Sequence, residues 1–126
     1  MSSWAAIAAC VVLAGLGVFQ AALAAGTPWG DLAFGGKHKT LPMLLRGASF
    51  LTIIVYGIAG AMILQRAGIA LLLPQAMADI GIWVFTGLLV AGVAMNAISR
   101  SLRERLVMTP IAIVLLGLVL IVALGL

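Results

Sequence analysis

The residues best able to do chemistry in this chain are few. His38 stands between Lys37 and Lys39, just after Gly35-Gly36, in the segment GTPWGDLAFGGKHKTLP at 26–42. A glycine pair can turn its backbone amides towards an anion, and flanking lysines would add charge to such a nest. The spacing is not that of a Walker A loop, because the preceding glycine and the following hydroxyl residue are both misplaced. A glycine turn in a basic loop beside an apolar span is the simpler explanation. One histidine cannot supply both axial ligands of a haem. The single cysteine, Cys10, can form neither an internal disulfide nor a CxxC pair. It has no basic neighbour to activate it, so it reads as a packing residue. The acids Asp31, Asp79 and Glu104 are scattered and leave no cluster for a metal. No catalytic set, metal or cofactor is expected.

The remaining charges are basic. Arg46 follows the first segment, and Ser99-Arg100-Ser101-Leu102-Arg103-Glu104-Arg105 forms a second. Arginine meets phosphate in bidentate fashion, whereas lysine acts as a point charge. If both segments lie on one side of a membrane, Lys37, Lys39, Arg46, Arg100, Arg103 and Arg105 make a basic collar suited to anionic headgroups. The spacing of Arg100 and Glu104 predicts a pair along a continuation of the preceding helix. Trp29, Leu32 and Ala33 have helical spacing and Phe34 follows, which suits a short stretch in the interface plane with Trp29 and Phe34 as anchors.

The elements that must position these groups follow from composition. Of 126 residues, 65% are hydrophobic and 8% charged, against about one-quarter charged in an average soluble domain. A small globule cannot hide so much apolar surface, so the solvent must be lipid. The net charge of +4 is then better matched to anionic lipid than to nucleic acid. Four apolar spans are expected, at about 4–25, 43–66, 74–98 and 109–126, in one all-α domain covering 1–126. Pro42 and Thr109-Pro110 read as helix starts, and Gly68 after Arg66 as a stop. Ala22-Leu23-Ala24 resembles a signal cleavage site, but Met1-Ser2-Ser3-Trp4 lacks the usual opening cation, so the first span is read as an uncleaved helix. Six of the seven basic residues fall on the side of the first and third connections. The positive-inside rule places that side in the cytoplasm of an inner membrane and both termini outside. Trp4 and Trp83 then lie at the outer interface.

No span carries a charge near its centre, which disfavours a proton-coupled exporter. The intramembrane polar residues are Gln20, Ser49, Thr52, Tyr56, Thr86 and Asn96. Ser49, Thr52 and Tyr56 share one face of the second span. Gln20 and Asn96 lie towards the cytoplasmic ends of the first and third spans, where a polar cleft between the helices could open inwards. Hydrogen bonding between helices accounts for these groups without any ligand, at ~0.6 kcal/mol per contact. Gly17/Ala21/Ala25, Gly57/Ala61 and Gly87/Ala91 recur every four residues and predict packing faces. The fourth span is bulky all round, which predicts a face towards lipid or a second subunit. Two hairpins of like orientation would also fit a tandem repeat.

The stretches TPWGDLAFGGKHKTLPMLLRGAS and MNAISRSLRERLVMTP resemble a group of small four-span bacterial integral membrane proteins. In that group Trp often stands in place of Phe34. The resemblance implies the architecture and carries over no activity. The leading expectation is a non-enzymatic multi-pass membrane protein that packs with partner helices or with itself and engages anionic lipid. A small oligomeric carrier or pore is the alternative, and a lipid-modifying enzyme using His38 is the third. A cysteine appended after Leu126 should react with an impermeant maleimide from outside intact cells, while Lys37→Cys stays unlabelled. The reverse pattern would overturn the orientation.

Overall fold

The computed structural model describes residues 3–126 and is all-helical in its regular elements. Helices α1 (Ser3–Ala24), α2 (Met43–Arg66), α3 (Gln75–Ala97) and α4 (Leu102–Ala123) have 22, 24, 23 and 22 residues. At ~1.5 Å per residue each is long enough to cross a hydrocarbon core of about 30 Å. All four are also apolar enough to do so. Large side chains face outwards along them, with Leu44 84% and Leu71 81% exposed, as a lipid solvent allows. The helices form an antiparallel ring in which α1 packs chiefly against α2 and α4, and α3 against α4 and α2.

The fourth helix corrects the sequence expectation. It begins at Leu102, not at Thr109, and Pro110 lies inside it. Ser101 is its N-cap, accepting a hydrogen bond from the Glu104 amide at 3.2 Å. The third helix ends at Ala97, so no helix continues through Arg100 to join it to Glu104. No Arg100–Glu104 ion pair forms among the described residues. Nor does α4 merely face lipid, because Leu115, Val119, Val122 and Ala123 are buried in the main core. The small-residue faces also differ. Ala21, Ala25, Gly57, Gly87 and Ala91 are exposed, whereas Ala5, Ala6, Ala9 and Ala59 are fully buried. Helices meet in lipid through close backbone approach, and here alanines near the ends of α1 and α2 provide it.

The core is unevenly distributed. Its main cluster joins Ala5–Leu13 of α1, Ala59–Ile63 of α2, Ile82 and Phe85 of α3, and Leu115–Ala123 of α4. All of these lie in the half of the bundle farthest from the basic connections. A smaller cluster of Leu23, Ala33 and Leu41 sits at the basic end. Between the two, no residue of 14–22, 50–58, 87–97 or 105–114 is buried. Burial is thus concentrated at one end of the bundle and sparse through the half towards the other.

Polar side chains lock the end where burial is concentrated. Arg66 ends α2 and donates to Asp79 of α3 at 3.1 Å and to the Ala123 carbonyl of α4 at 2.8 Å. Gln75 donates to the same carboxylate at 3.0 Å. Gln65, 6% exposed, accepts from the amides of Leu72 and Leu73 and donates to the Leu73 carbonyl. It thereby closes the α2–α3 turn. With about 1 kcal/mol net per hydrogen bond, Gln65→Leu is expected to lower stability by ~2–3 kcal/mol in detergent unfolding titrations. Arg100→Gln, made on an exposed side chain, should leave the midpoint unchanged.

Candidate functional site

The connection from α1 to α2 is an ordered strap. Two 3-10 turns, Gly30–Leu32 and Phe34–Gly36, run across the basic end. Ala33 points inwards against Leu23 and Leu41, while Trp29 and Phe34 stay 46% and 44% exposed. The segment is folded back on itself, with the Gly30 amide donating to the Lys39 carbonyl at 2.7 Å. A Cβ on Gly30 would meet the His38 carbonyl oxygen at 2.0 Å, so only glycine fits there.

The strap is tied to the other hairpin. Ser101 Oγ donates to the Asp31 carbonyl, and Arg103 pairs with the Asp31 carboxylate. Gly36, at φ +71, packs so closely on Ser101 that an added Cβ would lie 2.3 Å from the Ser101 Cβ. Ser101 therefore acts as N-cap to α4 and as anchor for the strap. On the near side, Arg46 Nε donates to the Ala24 carbonyl at 2.8 Å, supplying a cation to the C-terminal end of α1.

These contacts divide the six predicted collar residues. Arg46 and Arg103 are engaged within the fold. Lys37, Lys39, Arg100 and Arg105 are exposed, and their side chains make no hydrogen bond or ion pair among the described residues. Beside them are the exposed rings of Trp29 and Phe34. His38 is half-buried and has no side-chain partner that would orient it as an acid or base.

Beneath the strap, in the sparsely buried half, lies a cavity of about 280 Å³. Phe85 and Leu115 line it, as do Leu16, Thr52, Tyr56 and Asn96. The Thr52 hydroxyl is spent on the Ala48 carbonyl at 2.8 Å. The side chains of Tyr56 and Asn96 carry no geometrically defined hydrogen bond. Tyr56 has Gln20 as a neighbour, yet the Gln20 amide oxygen is buried without a hydrogen bond. The Ser49 and Thr109 hydroxyls and one Asp31 carboxylate oxygen are likewise buried and unpartnered. Each such group costs about 1–3 kcal/mol. All four belong to the basic half of the molecule. Thr86 is different, since its hydroxyl donates to the Ile82 carbonyl at 2.8 Å within its own helix.

Three of the groups that shape the two ends of the bundle were legible only in part. Ser101-Leu102-Arg103-Glu104 fits the S-x-x-E pattern of a capping box, and would have placed the start of α4 correctly. The Arg66–Asp79 pair and the Gln65 turn contacts join residues from separate elements, which spacing alone does not pair. Compared with protein-family models, with curated proteins and with solved structures, the chain matches none. The geometry therefore carries the functional conclusion.

Ser101→Ala removes both the cap and the strap anchor. A loss of ~1 kcal/mol is expected from the cap, together with severalfold faster tryptic cleavage after Lys37 and Lys39. Unchanged cleavage would show that the strap holds its place without Ser101.

Proposed function

We propose that this chain is a non-enzymatic, multi-pass protein of a bacterial inner membrane that engages anionic lipid headgroups at its cytoplasmic face. The observation that carries this reading is the division of the cations. Arg46, Arg66 and Arg103 serve the fold, while Lys37, Lys39, Arg100 and Arg105 are free, exposed and at one end of the bundle. A cation near an anionic leaflet gains about 1 kcal/mol. Trp29 and Phe34 sit beside this group and suit the headgroup level, where an aromatic ring has its polar and apolar neighbours together. The apolar main core crosses the full section of the bundle at the other end. A carrier or pore would consequently need an oligomer. Lipid chemistry at His38 would need an acid or nucleophile beside it, and Asp31 is already paired with Arg103.

The test is lipid retained through detergent purification. Replacing Lys37, Lys39, Arg100 and Arg105 together with Gln should lower co-purified phosphatidylglycerol by about tenfold or more, given ~1 kcal/mol per cation before screening. Arg103→Gln alone should retain lipid as the wild type does. Equal retention in all three proteins would reduce the free cations to determinants of orientation.

A further inference from the structure

We propose that the cavity between the two hairpins binds one acyl chain of an anionic phospholipid, with the ester region towards Asn96 at its basic end and the phosphate at Arg105. The proposal rests on the lipid-facing role of the basic end and adds to it a site inside the bundle.

The cavity has a direction. At its closed end stand Phe85 and Leu115, both in the main apolar core. Tyr56 stands level with them at mid-helix, and towards the basic end the lining carries Thr52 and then Asn96. The buried, unpartnered groups continue the same faces. Gln20 is one turn beyond the lining residue Leu16, Ser49 is three residues from Thr52, and Thr109 is three from Ala112. Arg105 lies three residues before Met108, on the flank of the lining stripe of α4 and next to the buried Glu104. Arg105 is exposed and has no partner among the described residues. An apolar floor, a neutral polar belt and a free cation occur in the order of chain, ester and phosphate in a phospholipid.

Size and charge narrow the occupant. About 280 Å³ is at or below the lower end of ligand pockets, which run ~300–1,000 Å³. It suits a single chain rather than a whole lipid. No charged side chain lines the cavity itself, so the part that enters must be neutral. The amide of Asn96 and the hydroxyls of Ser49 and Thr109, all in the basic half, are donors that match ester carbonyl oxygens. Two observations show that the space is available. No residue of 87–97 is buried, and a Cβ built on Gly92 meets no atom within 4 Å.

The experiment uses the full-length protein in nanodiscs containing a phosphatidylglycerol that carries a diazirine at the end of one acyl chain. After irradiation, labelled residues are located by peptide mass spectrometry. Label is expected on the cavity walls at 85–92 and 108–115. Gly92→Leu fills the cavity and should cut that labelling at least tenfold, whereas Gly117→Leu, outside it, should leave it unchanged. Ala112→Phe fills the same space from α4 and serves if Gly92→Leu does not fold. A matched phosphatidylcholine probe retains the phosphate but cancels its net charge, and should label the cavity severalfold less. Arg105→Gln should remove that difference. Label confined to the outer helix faces, label unaffected by either filling variant, or cavity label from a diazirine fatty acid alone would each overturn the proposal. Unchanged headgroup retention in the four-cation variant, with cavity labelling present in the wild type, would sink the headgroup reading and leave the chain site standing. Lowered retention in that variant with no cavity label in the wild type would do the opposite.

Discussion

Arg66 is the interaction on which the bundle's shape depends. Its guanidinium reaches from the end of α2 to a carboxylate on α3 and to a terminal carbonyl of α4. An exposed ion pair by itself stabilises little. Joining three helix ends at one side chain has a geometric effect that the pairwise energy does not measure. It brings the ends together, and the buried alanines of α1 and α2 let the backbones close in behind it. In an apolar solvent the hydrophobic effect does not draw helices together. Contact has to come from shape and from polar groups that find one another. Both devices are concentrated at one end of this molecule, and the sparse burial at the other end follows.

The basic end is held differently. No broad core joins the hairpins there. The strap from α1 to α2 reaches across and attaches to the start of α4 through the Ser101 hydroxyl and Arg103, both meeting Asp31. The backbone of the strap satisfies part of its own hydrogen bonding, and its glycines permit contacts that any side chain would block. This closes the end of the bundle without filling its middle. Polar groups buried beneath the strap are left without partners, which in a low-dielectric interior is where a site rather than a core is found.

The fold was largely readable from the sequence because lipid imposes a simple rule. Every backbone group must be satisfied within the segment, so a long apolar run becomes a helix. The boundaries of α2 and α3 follow from Pro42, Arg66 and Pro74 for this reason. The start of α4 was not read correctly, because proline at 110 was taken as a first-turn residue when Ser101 already provides the cap. Proline is permitted inside membrane helices more readily than in water-soluble ones. The packing faces were legible only in part: Gly17, Gly57 and Ala61 do line one groove between α1 and α2, while Ala21, Ala25, Gly87 and Ala91 are exposed. A four-residue spacing of small side chains occurs on several faces of these helices, and only the tertiary arrangement selects Ala5, Ala9 and Ala59. As for the site, the side of each cation was legible from the order of the spans. Which cations remain free was not, because the partners of Arg46 and Arg103 lie 22 and 72 residues away in the chain.

The position of Pro110 has a mechanical consequence. A proline has no amide hydrogen for the carbonyl four residues back, so the ladder of α4 lacks the rung that would end on Leu106. The gap falls among the cavity-lining residues Met108, Ile111 and Ala112. The first two turns of α4 are thus an arm coupled weakly to the rest of the helix and pinned at its far end by Ser101. The distance from that pin to Pro110 is ~13 Å along the axis. The Ser101 hydroxyl and Arg103 tie that arm to the strap, so the stretch of α4 above the missing rung is joined to the connection across the bundle as well as to its own helix.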